Sequence, residues 1–108
     1  MPRVRDAIRE ILTVLGEATG YQVHKLYTRV YGRTTLRNMY YHLHKLLELG
    51  EVVLRVEDAR GEYSWGSETL RKYYALKEPV RVDEKRARQL RREAEALGIL
   101  RSRKDDGA

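Results

Sequence analysis

The sequence predicts a small α+β domain, mainly helical with one β-hairpin. Three observations carry this: helical spacing of apolar residues in four segments, a change to strand-like patterning after Gly50, and a glycine or proline at most of the joints. In the first segment Val4, Ile8, Ile11, Leu12 and Leu15 recur on one helical stripe. Gly16 follows, where a chain can leave a helix through a left-handed residue without a Cβ clash. Thr19-Gly20-Tyr21-Gln22 reads as a capping box, in which the Thr19 hydroxyl accepts from the amide three residues on and Gln22 reaches back to the Thr19 amide. It opens a second helix whose apolar positions are Val23, Leu26, Tyr27 and Val30 and which Gly32 ends. Thr34 and Thr35 offer caps for a third helix, with Leu36, Met39, Tyr40, Leu43, Leu46 and Leu47 as its expected buried stripe and Gly50 as its stop.

Residues 51–57 are β-branched and partly alternating, and the turn-prone Asp58-Ala59-Arg60-Gly61 follows them. The returning strand is expected over Leu70–Leu76, ahead of Pro79, with Tyr63-Ser64-Trp65 in the connection. Three helices followed by a hairpin is the order of a winged helix-turn-helix. Pro79 and Asp83 then mark the entry to a last helix, Glu84–Leu97, closed by Gly98. Its few apolar residues, Ala87, Leu90, Ala94 and Leu97, are spaced 3, 4, 3, the rhythm of a helix that pairs with another helix. The expected layout is a DNA-binding winged-helix domain over 1–78, a C-terminal dimerisation helix over 79–98 and a flexible tail over 99–108. That helix would form a twofold homodimer, with Ala7 and Val14 of the first helix contributing; packing of the last helix on its own domain is the alternative.

The 108 residues hold a single core, because two cores would each be too small to stand without a metal or disulfides. Cysteine is absent, which removes a disulfide framework, a thiol nucleophile and a cysteine-based zinc site, and suits the cytoplasm. No apolar run approaches the roughly 20 residues that span a bilayer, and Met1–Asp6 lacks the apolar stretch of a signal peptide, so no membrane partner is expected. The formal net charge is +6. Its distribution is more informative than its size: from Ala18 to Leu47 there is no Asp or Glu, while Lys25, Arg29, Arg33, Arg37 and Lys45 are all cationic. An acid-free run of that length in a chain that is 35% charged favours a polyanionic partner.

With the third helix oriented by its stripe, the opposite face presents Thr34, Arg37, Asn38, Tyr41, His42 and Lys45. Arginine can pair with guanine and asparagine with adenine in the major groove, so these six are the candidate base-reading residues of double-stranded DNA. Lys25, Arg29 and Arg33, with Arg55, Arg60 and Lys72 in the hairpin, are candidate phosphate contacts, which position a protein without reading sequence. His42 and His44 are two residues apart and point to nearly opposite sides of a helix, and His24 lies on another, so no metal site is expected. No serine sits in a nucleophile elbow and no glycine-rich loop precedes a helix, so neither an enzyme nor a cofactor is expected. The competing readings are an architectural, chromatin-like DNA-binding protein and a protein-interaction module built on Tyr21, Tyr27, Tyr31, Tyr41 and Tyr63.

Three segments, Gly20-Tyr21-Gln22-Val23, the run from Met39 to Gly50, and Arg71-Lys72-Tyr73-Tyr74-Ala75-Leu76, occur in an order that resembles the PadR family of transcriptional regulators. The resemblance covers approximately residues 5 to 78. It implies a dimeric, repressor-like winged-helix protein with a C-terminal dimerisation helix. The sequence departs from the family in having Tyr41 where many members have proline, and in the length of the connection between Glu57 and Leu70. Small members bind flat drug-like molecules through a tryptophan on the C-terminal helix; here the single tryptophan is Trp65, so a small-molecule effector is not supported.

Overall fold

Apolar periodicity and capping side chains set the helices where the sequence places them. The computed structural model describes residues 3–58 and 70–100. In chain order the elements are α1 (Val4–Leu15), β1 (Ala18–Thr19), α2 (Gly20–Val30), α3 (Leu36–Glu48), β2 (Val52–Asp58), β3 (Leu70–Leu76) and α4 (Glu84–Ala96). Gly16 takes a φ of 84° and its amide donates to the Leu12 carbonyl, so α1 stops there at no steric cost. Both halves of the capping box form at α2: Thr19 Oγ1 accepts from the Gln22 amide at 3.1 Å, and Gln22 Oε1 accepts from the Thr19 amide at 3.0 Å. Thr35 caps α3 by accepting from the Asn38 amide, and Asp83 caps α4 by accepting from the Arg86 amide.

The hairpin pairs antiparallel from Val52↔Leu76 to Asp58↔Leu70. A two-residue strand, β1, pairs with the other edge of β3 through Ala18↔Tyr74 and Thr19↔Tyr73, giving a three-stranded antiparallel sheet in the order β1-β3-β2. Nothing in the sequence marks β1, because two residues are too short for alternation to show. Its pairing ties the root of the hairpin to the start of α2. Beyond its root the hairpin leaves Val53, Leu54, Val56 and Leu70 exposed. Tyr63, Trp65 and Arg60 fall outside the described residues.

One core, contributed by all four helices and the root of the sheet, includes Ile8, Ile11, Leu12, Val23, Leu26, Met39, Leu43, Leu46, Val52 and Leu90. Leu90 and Ala94 are wholly buried in it, with Leu97 packed against them. This corrects the expected dimer interface at Leu90 and Ala94, which are buried within their own chain where α4 packs on α1 and α2, and at Ala7, wholly buried as well; Ala87 and Leu97 are half-buried. The small residues let α4 approach closely while Leu90 fills the space between the two helices. Polar contacts close the rim. Tyr31 at the end of α2 donates its hydroxyl to Glu10 at 2.6 Å, Arg86 lies 4.6 Å over the Tyr31 ring, and Arg29 pairs with Glu93 at 2.8 Å. Ile99 and Leu100, expected in the tail, also pack on the core. Among the described residues no helix is long and apolar enough to cross a membrane.

Candidate nucleic-acid interface

On α3 the buried side is held by Met39, Leu43 and Leu46, with Leu47 partly covered. Leu36 and Tyr40, expected in the same stripe, are 38% and 41% exposed. A stripe of six apolar positions is wider than the surface that α1, α2 and the hairpin root can cover, so its outer edge stays open. The solvent-facing side of α3 is therefore turned relative to the expected one. It carries Arg37, Tyr41, Tyr40 and His44, with Glu48 at its C-terminal end.

The six candidate base-reading residues separate into two groups. Arg37 is exposed and has no ion pair or hydrogen bond among the described residues, and Tyr41 is 53% exposed. The Lys45 ammonium lies 5.7 Å from the Tyr41 ring centre and 3.5 Å from Glu48. These three share the open side or its border. The other three are already engaged. Asn38 donates its side-chain amide to Thr34 Oγ1 at 2.9 Å, and the Thr34 carbonyl accepts from His24 Nε2 at 2.7 Å, which locks the turn between α2 and α3. His42 Nδ1 accepts from Arg5 Nε at 3.2 Å. Burial, and then the adjacent Arg5 charge, hold the His42 imidazole below its ordinary value, so it is neutral near pH 7 and is no cationic contact for a phosphate.

The candidate phosphate contacts divide in the same way. Arg33 is exposed without a partner among the described residues, as is Lys72, while Lys25 lies exposed 5.5 Å from the Tyr21 ring centre. Arg29 and Arg55 do not belong with them. Arg29 is committed to Glu93 of α4. Arg55 bonds both carboxylate oxygens of Glu17, at 2.6 and 3.1 Å, and lies 4.5 Å over the Tyr73 ring. The Arg55 guanidinium in turn holds the Glu17 carboxyl below the usual carboxylate range. A phosphate would have to displace these carboxylates. The acid-free run concealed this for Arg29, because the carboxylate that neutralises it is 64 residues away in sequence, and Arg55, outside that run, draws its main partner from 38 residues away.

Sequence reasoning missed Tyr40 as a surface residue, and no pattern in the sequence separates it from the buried members of its stripe. Tyr27 and Tyr31, considered as part of a tyrosine-rich docking surface, are buried and stacked on each other with ring centres 5.3 Å apart. Among the described residues, no three metal-ligating side chains of the His, Cys, Asp and Glu types converge. No protein-family model, curated protein or solved structure matches the chain.

Proposed function

We propose that this chain is a cytoplasmic winged-helix regulator of the PadR type that binds double-stranded DNA sequence-specifically through α3 and assembles as a homodimer. The observation that carries the reading is Arg37: a cation without a partner among the described residues, in the first turn of an exposed α3, with Arg33 just before it and no carboxylate on the helix before Glu48. The first turns of such a helix reach base edges when it enters the major groove. The short β1 strand clipped to the hairpin, in the order β1-β3-β2, supports the winged-helix reading, with the hairpin as the wing. A single α3 offers few base contacts, so two copies related by a twofold axis, on half-sites about 34 Å apart, supply the specificity.

Fluorescence anisotropy with labelled duplexes tests this. Affinity is expected to fall steeply between about 50 and 200 mM salt, because several phosphates are neutralised per chain. Binding that is flat over that range sinks the reading, and a monomeric solution mass at micromolar concentration removes the homodimer from it.

The engagement of Asn38 with Thr34 and of His42 with Arg5 favours a second reading, an architectural protein that binds duplexes without base readout. The ratio of specific to non-specific affinity separates the two; a ratio near one selects the architectural protein.

A further inference from the structure

Beside the open side of α3 there is a cleft of about 440 Å³ between the first turn of α2, the side chain of Tyr40 and strand β3. Its lining includes Tyr21, Tyr40, Lys72, Tyr73 and Tyr74, and no carboxylate among the described residues. Three features of this cleft point to an anion.

The first is Tyr74. Its side chain belongs to the core and only 9% of the residue is exposed, yet its hydroxyl has no hydrogen-bond partner among the described residues. No fully buried side-chain oxygen or nitrogen among them lacks a partner, so this hydroxyl keeps an opening, and the cleft is the space it lines. The ring is held by the core while its polar end faces the cleft, where a group from outside the chain, solvent or ligand, completes it. Burial, and then the neighbouring Tyr40, push its ionisation above the ordinary tyrosine range, so it stays a protonated donor.

The second is the approach of Tyr40 to Gly20. A Cβ at Gly20 would lie 2.8 Å from the Tyr40 hydroxyl oxygen and closer still to the ring, so glycine is what lets the phenol lie against the first turn of α2. This brings a second hydroxyl donor to the N-terminal end of an 11-residue helix, where the backbone dipole is positive and the first amides have no carbonyl within the helix. The third is charge: Lys72 lines the cleft and is exposed.

We propose that this cleft receives one phosphate group of the DNA backbone, hydrogen-bonded by the Tyr74 and Tyr40 hydroxyls, with Lys72 supplying the counter-charge. The proposal rests on the DNA-binding reading of α3 and adds to it the anchor that sets how α3 lies in the groove. The contact carries no sequence information and acts alike on every duplex.

The test uses the full chain and Tyr74→Phe, which removes one oxygen and leaves the buried ring. Since that hydroxyl has no partner among the described residues, the thermal midpoint is expected to hold while affinity for any duplex falls about tenfold, the effect of one hydrogen bond to a charged acceptor. Tyr40→Phe, altering a residue outside the core, repeats the measurement independently. Duplexes carrying a neutral methylphosphonate at one position at a time locate the anchored phosphate. One position should weaken the wild type and have no effect on Tyr74→Phe. Tyr74→Phe and Tyr40→Phe both binding as the wild type, or Tyr74→Phe keeping the wild-type sensitivity at every position, overturns the proposal. Titration with inorganic phosphate, followed at the Gly20 and Tyr21 amides by NMR, separates the site from the functional reading. If the wild type binds no duplex but these amides shift, and do so less in Tyr74→Phe, the functional reading fails and the phosphate site stands with a free anion as its ligand. If it binds no duplex and the amides do not shift, both fail.

Discussion

α3 and α4 are both 13 residues long, yet the structure uses them in opposite ways. α3 has a broad apolar stripe and leaves part of it in water, with Leu36 and Tyr40 exposed. α4 has a narrow stripe and buries its centre completely, with Leu90 and Ala94 at 0% exposure. The width of a stripe therefore measures how much surface a helix could bury, whereas the elements packed against it decide how much it does. For α4 those are α1 and α2, joined at the rim by Tyr31, Glu10 and Arg86 and by Arg29 and Glu93.

The sharpest way to break this comparison is at Leu90. Leu90→Ala is expected to destabilise the chain by about 2–5 kcal/mol, the range for emptying a buried leucine site. Denaturant unfolding at several protein concentrations checks it. A midpoint that rises with concentration, together with a small loss in the variant, would return α4 to an interface between chains. Leu90→Glu is uninformative about dimerisation for the same reason, because a charge placed in this core unfolds the monomer first.

Tyr31→Phe tests the rim of α4 by removing the hydroxyl that reaches Glu10. The expected loss is about 1–2 kcal/mol, somewhat below that of a fully buried bond to a charged group because Glu10 retains some contact with solvent. An unchanged unfolding midpoint would show that the rim contacts follow the packing without supporting it.

The two helices should also differ in what their arginines do. Arg37→Ala on α3 is expected to lower affinity for a preferred duplex about tenfold with little change in stability, the scale of one lost base-edge contact. Arg29→Ala, which frees Glu93 on α4, should change binding far less. Equal losses in the two variants would mean that only overall charge matters.

The smallest expected effect is that of pH at the border of α3. His42 has a folded value held below its ordinary 6.5, so the unfolded chain binds the proton more readily. Stability from this group is complete above about 6.5 and is lost as the pH falls through the lower folded value. Denaturant midpoints should therefore fall between about pH 7.5 and 5.5 in the wild type and fall less in His42→Gln. The carboxylates of Glu17 and Glu51, also lowered, add their loss only below about 4.5, outside that window.

Much of the local architecture was legible because its causes are local. The capping box at Thr19, the Thr35 and Asp83 caps and the glycine stop after Leu15 act within a few residues, so helix ends could be placed from the chain alone. The first hairpin strand followed from β-branched, partly alternating residues before a turn, and the second from its place ahead of Pro79. The strand β1 did not, since nothing in Ala18-Thr19 distinguishes a strand from a linker until β3 lies beside it.

The candidate site was legible only in composition. Residue types and charge were enough to mark the stretch 18–47 as cationic and to single out Arg37. Which of its cations remain available was settled by tertiary packing, which brings Glu93 to Arg29 from 64 residues away, just as it places Glu17 against Arg55 in the hairpin. The same holds for the face that α3 shows to solvent and for the partner of α4. Periodicity records that a stripe must be covered, and the cover comes from residues remote in sequence. Hydrophobic burial is non-directional and indifferent to whether the covering surface belongs to the same chain or another, so the choice is made by how the folded surfaces fit.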